Sequence, residues 1–281
     1  IAWETTRQVS LAAGTVDGLE MVTGSDGKDY IVYSYTNGLT GDADNGSCAP
    51  GLMESRIVAV YHNSSSDAFI PVGTNPLASA CNSSLVLSRP RLAQGGDGYL
   101  HASWYSNTSS TKDLIYRRFN TTSADGTVSA VISNDSGRYN AIAVVPGSSP
   151  SLPSIAYFDA TTNEIRLATT TNRTLFTTQL IANTASLGVT PSAGQLQLQF
   201  DTQGKAHLVL QADGNLELWY ANNRSGSWLS EPIVISGNSL ANQQYDMAID
   251  GEFNPWVSYQ NNTDKDVYLW NGKLVNGTPL P

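Results

Sequence analysis

Ser154-Ile-Ala-Tyr157 is one of five short segments that decide the architecture; the others are Tyr30-Ile-Val-Tyr33, His101-Ala-Ser-Trp104, His207-Leu-Val-Leu210 and Trp256-Val-Ser-Tyr259. All are rich in β-branched and aromatic residues at period two, the alternation expected of a β-strand. An inner strand and a turn, most often Gly- or Asp-bearing, precede each segment, and a third strand is predicted after a polar loop, at 56–61, 113–119, 164–169, 216–221 and 266–270. Weaker fourth strands are predicted at 68–72, 128–132, 175–181 and 228–235. A four-stranded unit repeated five times predicts an all-β, five-bladed β-propeller.

The last repeat runs out of sequence after Trp270. Ala2 to Ser10 resembles Ser227 to Ile235 in the placing of Trp and Val, so the N-terminal segment is expected to complete the last blade and remove an open sheet edge. The chain is then one domain, 1–281, with the closing strand at 1–15 and blades at 16–74, 75–134, 135–183, 184–237 and 238–281. A β-sandwich would not explain why the missing strand reappears at the other terminus.

A net charge of −9 with 14% charged residues speaks against a nucleic-acid partner or an anionic membrane surface, since both need clustered Lys and Arg. No run of about 18 apolar residues occurs, nor an N-terminal basic and apolar leader, which reads as a mature soluble chain. Sequons at Asn45, Asn63, Asn82, Asn107, Asn120, Asn134, Asn172, Asn223, Asn261 and Asn276 point to N-glycosylation and eukaryotic secretion. Cys48 and Cys81 are the only cysteines and fit one disulfide in that compartment.

Aligned by their turns, the innermost strands place Glu20, Arg91, Ala141, Gln197 and Asp246 at one level, and Gly18, Arg89, Tyr139, Gln195 and Gln244 two residues earlier. Even spacing keeps both sets on one face, which is expected to line a central pocket. The intervening Leu19, Met21, Leu92, Ile142, Leu198 and Met247 are expected to pack between blades. Arg89, Arg91 and Tyr139 are the candidate catalytic residues, with Glu20, Gln195, Gln197, Gln244 and Asp246 as ligand contacts and Tyr35, Tyr105 and Phe158 as aromatic walls near the mouth.

Arg91 between Glu20 and Asp246 also reads as a plain ion-pair network. The two carboxylates would be the minimum equipment for glycoside cleavage, although a third central acid is missing. His101 and His207 begin equivalent strands, as repeated packing residues do, and His62 falls in a surface turn. The three histidines lack metal-site spacing, and no nucleophile elbow or glycine-rich phosphate loop is present, so no metal and no cofactor are expected.

Ile155 to Arg166 and Leu208 to Leu218, the latter closed by Gly226-Ser-Trp228, are similar in layout to the blades of fungal fucose-lectin-like propellers. That resemblance implies sugar binding between blades by an Arg and a Glu on the third strand with an aromatic residue. The corresponding positions here hold Val58, Ile115, Arg166, Glu217 and Tyr268, so the set is not repeated. The chain also resembles the fungal hetero-Diels–Alderases that join a tropolone quinone methide to a humulene-type alkene. This likeness implies a cofactor-free cyclase with a tropolone or terpenoid substrate; a carbohydrate-binding lectin is the alternative, followed by a glycoside hydrolase.

Overall fold

The computed structural model describes residues 15–36, 48, 52–73, 76–82, 87–108, 111–133, 136–212, 214, 217–234, 240–261, 266–272, 274–275 and 278–279. The first sheet runs in the order β1 (Thr15–Thr23), β2 (Asp29–Thr36), β3 (Met53–Asn63), β4 (Ala68–Pro71), with β5 (Ala78–Asn82) pairing the other half of β3. The second comprises β6 (Leu87–Gln94), β7 (Leu100–Thr108), β8 (Thr111–Phe119) and β9 (Ala124–Ser133). The third comprises β10 (Ser136–Val144), β11 (Pro153–Asp159), β12 (Glu164–Thr170) and β13 (Phe176–Ala182), and a single helical turn, α1 (Thr184–Leu187), follows it.

The fourth sheet is β14 (Gln197–Phe200), β15 (Ala206–Ala212), β16 (Glu217–Asn222) and β17 (Leu229–Val234). The fifth has three described strands, β18 (Leu240–Ile249), β19 (Pro255–Asn261) and β20 (Val267–Asn271), and a two-stranded ribbon follows, β21 (Leu274–Val275) with β22 (Thr278–Pro279). All these pairings are antiparallel. The expected closing strand at 1–15 lies outside the described residues, except for Thr15, which pairs with Thr36 in the first sheet.

Successive sheets stack face to face, and apolar seams join them. Val32, Ile57 and Ala59 pack with Leu92, Trp104 and Phe119 between the first two sheets. Leu114 and Tyr116 meet Ile142, Ile155 and Tyr157 between the second and third. Phe158 and Leu167 meet Leu198, Leu208 and Trp219 between the third and fourth, and Val209 and Tyr220 meet Tyr245, Met247 and Val257 between the fourth and fifth. Leu92, Ile142, Leu198 and Met247 are therefore seam residues as expected, whereas Leu19 and Met21 are each 61% exposed because no described strand covers that face of β1.

Two histidines enter the seams, each beside a tyrosine. His101 and His207 are fully buried, and the Nδ1 of each lies within hydrogen-bond reach of a tyrosine hydroxyl, Tyr116 at 2.7 Å and Tyr220 at 2.5 Å. Turns between first and second strands are organised by aspartates: the Asp201 carboxylate accepts from the Gln203 and Lys205 amides, and the Asp250 carboxylate from those of Glu252 and Asn254. In the third sheet Ser148 does this work, donating to the Val145 carbonyl and accepting from the Leu152 amide.

The innermost strands share one irregularity. On β1, Asp17 and Gly18 together oppose Ser34 alone; on β6, Arg89 and Pro90 oppose Trp104; on β10, Gly137 to Tyr139 oppose Phe158; and on β18, residues 241–244 oppose Gln260. In the fourth sheet an isolated bridge from Pro191 to Ala212 precedes β14, leaving Ser192 to Leu196 off the ladder in the same place. Those on β1 and β6 have the two-against-one count of a β-bulge and that on β10 is one residue longer; such bulges bend a strand and re-aim its side chains. Pro90 has no N–H to give a ladder and Gly18 and Gly137 take positive φ (98° and 89°), so the residue types suit the irregularity.

Two consequences are measurable. Burial lowers the His101 pKa from 6.5 to about 4, against a smaller opposing pull from Asp97, so the unfolded chain takes up the proton first as pH falls. Stability should be full above pH 6.5 and should drain between 6.5 and 4, by roughly 3 kcal/mol for this group. Denaturant titrations across that range should show a smaller loss in H101Q; parallel curves for the two proteins would remove His101 from the acid response. Separately, a Cβ on Gly137 would lie 2.5 Å from Leu114 Cβ at φ 89°, so G137A should lose about 2–4 kcal/mol by chemical denaturation, and an unchanged midpoint would contradict the bulge.

Candidate functional site: a cavity built by bulges

The bulges of the first three inner strands converge on one cavity of about 420 Å³. β1 contributes Asp17, Gly18 and Leu19; β6 contributes Arg89, Pro90 and Arg91; β10 contributes Arg138, Tyr139 and Asn140, and Gln195 completes the lining from the segment ahead of β14. Four of the expected residues, Arg89, Arg91, Tyr139 and Gln195, thus share a wall. Asp17, Arg138 and Asn140 were not anticipated from the sequence. The signals for them were Pro90 and the glycines at 18 and 137, which break otherwise regular strands.

The bulges are stitched to one another. Asn140 is buried; its Nδ2 donates to the Gly137 carbonyl at 3.1 Å and to the Arg89 carbonyl at 3.4 Å, while its Oδ1 accepts from Ser103 Oγ at 2.7 Å. Ser34 Oγ donates to the Asp17 carbonyl across the first bulge. Gly18 lies so close to β6 that a Cβ there would be 3.2 Å from Arg89 Cα. The Tyr245 hydroxyl donates to the Gln195 carbonyl, tying the fourth sheet to the fifth.

Arg89 adopts a left-handed backbone (φ 52°), uncommon for an L-residue, and its guanidinium carbon lies 4.1 Å from the centroid of the Tyr139 ring. Arg138 sits more loosely by the same ring, at 6.0 Å. Arg91 donates from Nη1 to Glu20 Oε2 at 3.0 Å, as the ion-pair reading of these two residues requires. Burial lifts the Glu20 carboxyl above its ordinary value of 4.5 although Arg91 pulls the other way, and the charge of Asp246 adds to the rise.

The register confirms one geometric expectation and corrects others. Glu20, Arg91, Ala141, Gln197 and Asp246 pair with Val32, Ser103, Ala156, Val209 and Ser258, the same position in each second strand. A common level does not make a common lining, because both faces of a stacked sheet meet neighbouring sheets. Ala141 is in the seam with the fourth sheet, Gln197 stays outside the cavity lining, and Asp246 lines a second cleft with Tyr245, Ser258 and Tyr259. Gln244 lies on β18, and its side chain falls outside the described residues.

Tyr35, Tyr105 and Phe158, expected as aromatic walls, are only 6%, 7% and 7% exposed. They belong to second strands, each covered by an inner and a third strand and by packing on both faces, and so cannot wall an open mouth. Cys48 and Cys81 are bonded, with Cα atoms 5.5 Å apart. Among the sequons, Asn45, Asn134 and Asn276 lie outside the described residues, and Asn172 is exposed. Asn261 is buried at the end of β19. Among the described residues, no helix is long and apolar enough to cross a membrane.

No protein-family model and no curated protein sequence matches this chain. Solved structures do. The Aleuria aurantia lectin, a six-bladed β-propeller with a novel fucose recognition mode, superposes with a TM-score of 0.54 at 15% identity over 95% of this chain and 76% of the lectin. A polysaccharide lyase, the PL25 ulvan lyase bound to -[GlcA(1-4)Rha3S]-, gives 0.53 at 11% identity over 92% of this chain and 66% of the lyase, and the polysaccharide lyase Uly1 gives 0.50 at 10% identity over 94% and 70%. At these identities the likeness carries the architecture and nothing more: the chain has a β-propeller fold of the kind seen in fucose lectins.

Proposed function

We propose that this protein works through a single cavity among its innermost strands, where Arg89 and Arg91 hold an oxygen-rich small molecule. One observation carries the reading. The apolar seams repeat from sheet to sheet and the bulges recur at corresponding places, whereas the residues that the bulges bring to the cavity differ: Asp17-Gly18 on β1, Arg89-Pro90 on β6 and Gly137-Arg138-Tyr139 on β10. A repeated scaffold with an unrepeated centre is the pattern of one site per chain. Arg166, at a position that the lectin resemblance assigns to sugar, is held by Glu164 at 2.6 Å, which argues against equivalent sites between blades.

Within that reading the chemistry is a cofactor-free hetero-Diels–Alder cycloaddition. A hydroxymethyl tropolone loses water to give a quinone methide, and the alkene adds across its C=C–C=O unit, forming one C–C and one C–O bond with no net redox change. Arg89 and Arg91 would donate to the tropolone oxygens and stabilise negative charge there as water departs, Tyr139 and Gln195 would orient the ring, and Leu19 and Pro90 would offer the alkene an apolar surface. Holding both partners in one cavity removes part of the barrier by proximity alone. A saccharide is the second reading, supported by the polar lining and by neighbours whose names record fucose and -[GlcA(1-4)Rha3S]-. Cleavage by paired carboxylates gains no support, since Glu20 is engaged by Arg91 and Asp246 opens to another cleft.

Calorimetry should find one site per chain for either a hydroxymethyl-tropolone analogue or a sugar in a mono- and oligosaccharide panel. Addition of a humulene alcohol with the tropolone should give adduct faster than buffer does if the cyclase reading holds. R89A should weaken binding at least ~10-fold with its melting temperature nearly unchanged. Several equivalent sites per chain, or full binding by R89A, would return the protein to the multivalent lectins.

A further inference from the structure

Resting on the single-site reading, we infer that the ligand of the cavity is an oxyanion, a molecule bearing a carboxylate, a sulfate ester or an ionised enol beside its neutral oxygens. The charge distribution carries this. Acidic residues outnumber basic ones 24 to 15, and a guanidinium in such a chain readily finds a carboxylate. Six of the nine described arginines do so, Arg56 on Glu54 and Arg166 on Glu164 among them. Arg117 donates to the Leu77 carbonyl. Arg89 and Arg138 are left, with no carboxylate or carbonyl partner among the described residues, and both line the same cavity around one tyrosine ring.

Nor can Arg89 easily turn away. Its φ is 52°, Pro90 follows it, its carbonyl is held by Asn140, and Gly18 packs against its backbone. The backbone that carries the guanidinium is thus fixed, and the Tyr139 ring 4.1 Å away steadies the side chain itself, which lowers the ordering cost of binding. Two guanidiniums beside a third that Glu20 already holds repel one another, and only Asp17 in the lining opposes them. A neutral sugar would leave that repulsion in place. An oxyanion relieves it and accepts the paired N–H groups of a guanidinium in their natural geometry.

Matched pairs test the charge directly: D-glucuronate against D-glucuronamide, and ionised tropolone against 2-methoxytropone, titrated by calorimetry into the full chain at low and high salt. The charged member should bind at least ~10-fold more tightly, and the advantage should shrink as salt rises. It should vanish in R89Q, recover in part in R89K, and diminish in R138Q, whose side chain is exposed and whose folding is not at risk. A preference confined to the glucuronate pair assigns an acidic saccharide, and one confined to the tropolone pair assigns an ionised enol. Equal affinity within both pairs, or binding of neutral sugars alone, overturns the oxyanion while leaving the single site intact. No binding by either pair or by the saccharide panel overturns both.

Discussion

Apolar packing between stacked sheets is the constraint on which everything else in this molecule depends. A sheet with one solvated face can alternate polar and apolar residues, but a sheet covered on both faces must be apolar on both. This is why β2, β7, β11 and β15 read as nearly continuous runs of buried side chains. It also limits where polar groups can go. Inside the seams several are paired, as Tyr116 is with His101 Nδ1 and Ser103 with Asn140, so that part of the desolvation is offset by the bond they make.

The same constraint leaves little room for a binding site. Most side chains on a regular inner strand point into one seam or the other, so a departure from the ladder opens space for a pocket beside the paired residues Leu19, Arg91 and Asn140. The bulges provide it, and they do so at corresponding places because the strands themselves correspond. Asn140 has a particular part here: by bonding the carbonyls of Arg89 and Gly137 it makes two neighbouring bulges one rigid unit. The ion pair of Arg91 with Glu20 joins β6 to β1 in the same way, so the groups that shape the cavity also hold the inner strands together.

Much of this was legible in the sequence because buried strands leave dense local signals. The second strands, the third strands and the shared level of Glu20, Arg91, Ala141, Gln197 and Asp246 followed from spacing alone, and the register agrees. The error with Tyr35, Tyr105 and Phe158 came from treating alternation as though one face were open to the cavity, when both are closed by packing. Arg138 and Asn140 were missed because a bulge shifts the count by one or more residues, and a periodic reading has no means to register the shift. The notes that could have revealed it, Pro90 and the glycines at 18 and 137, are conformational rather than hydrophobic.

The bulges have a further bearing on how such a protein changes over generations. Residues 17–18, 89–90 and 137–139 lie off the hydrogen-bond ladder, and the side chains of Asp17, Arg89 and Arg138 belong to no apolar seam, while Tyr139 packs only against the edge of one. Apart from the glycines and Arg89, whose backbone angles are demanding, these short intervals can accept new side chains while the seams continue to hold the sheets together. Ligand preference and structural integrity are therefore written in different positions of the same strands. Substitutions at these intervals can therefore change which small molecule the cavity accepts at little cost to the packing that keeps the chain folded.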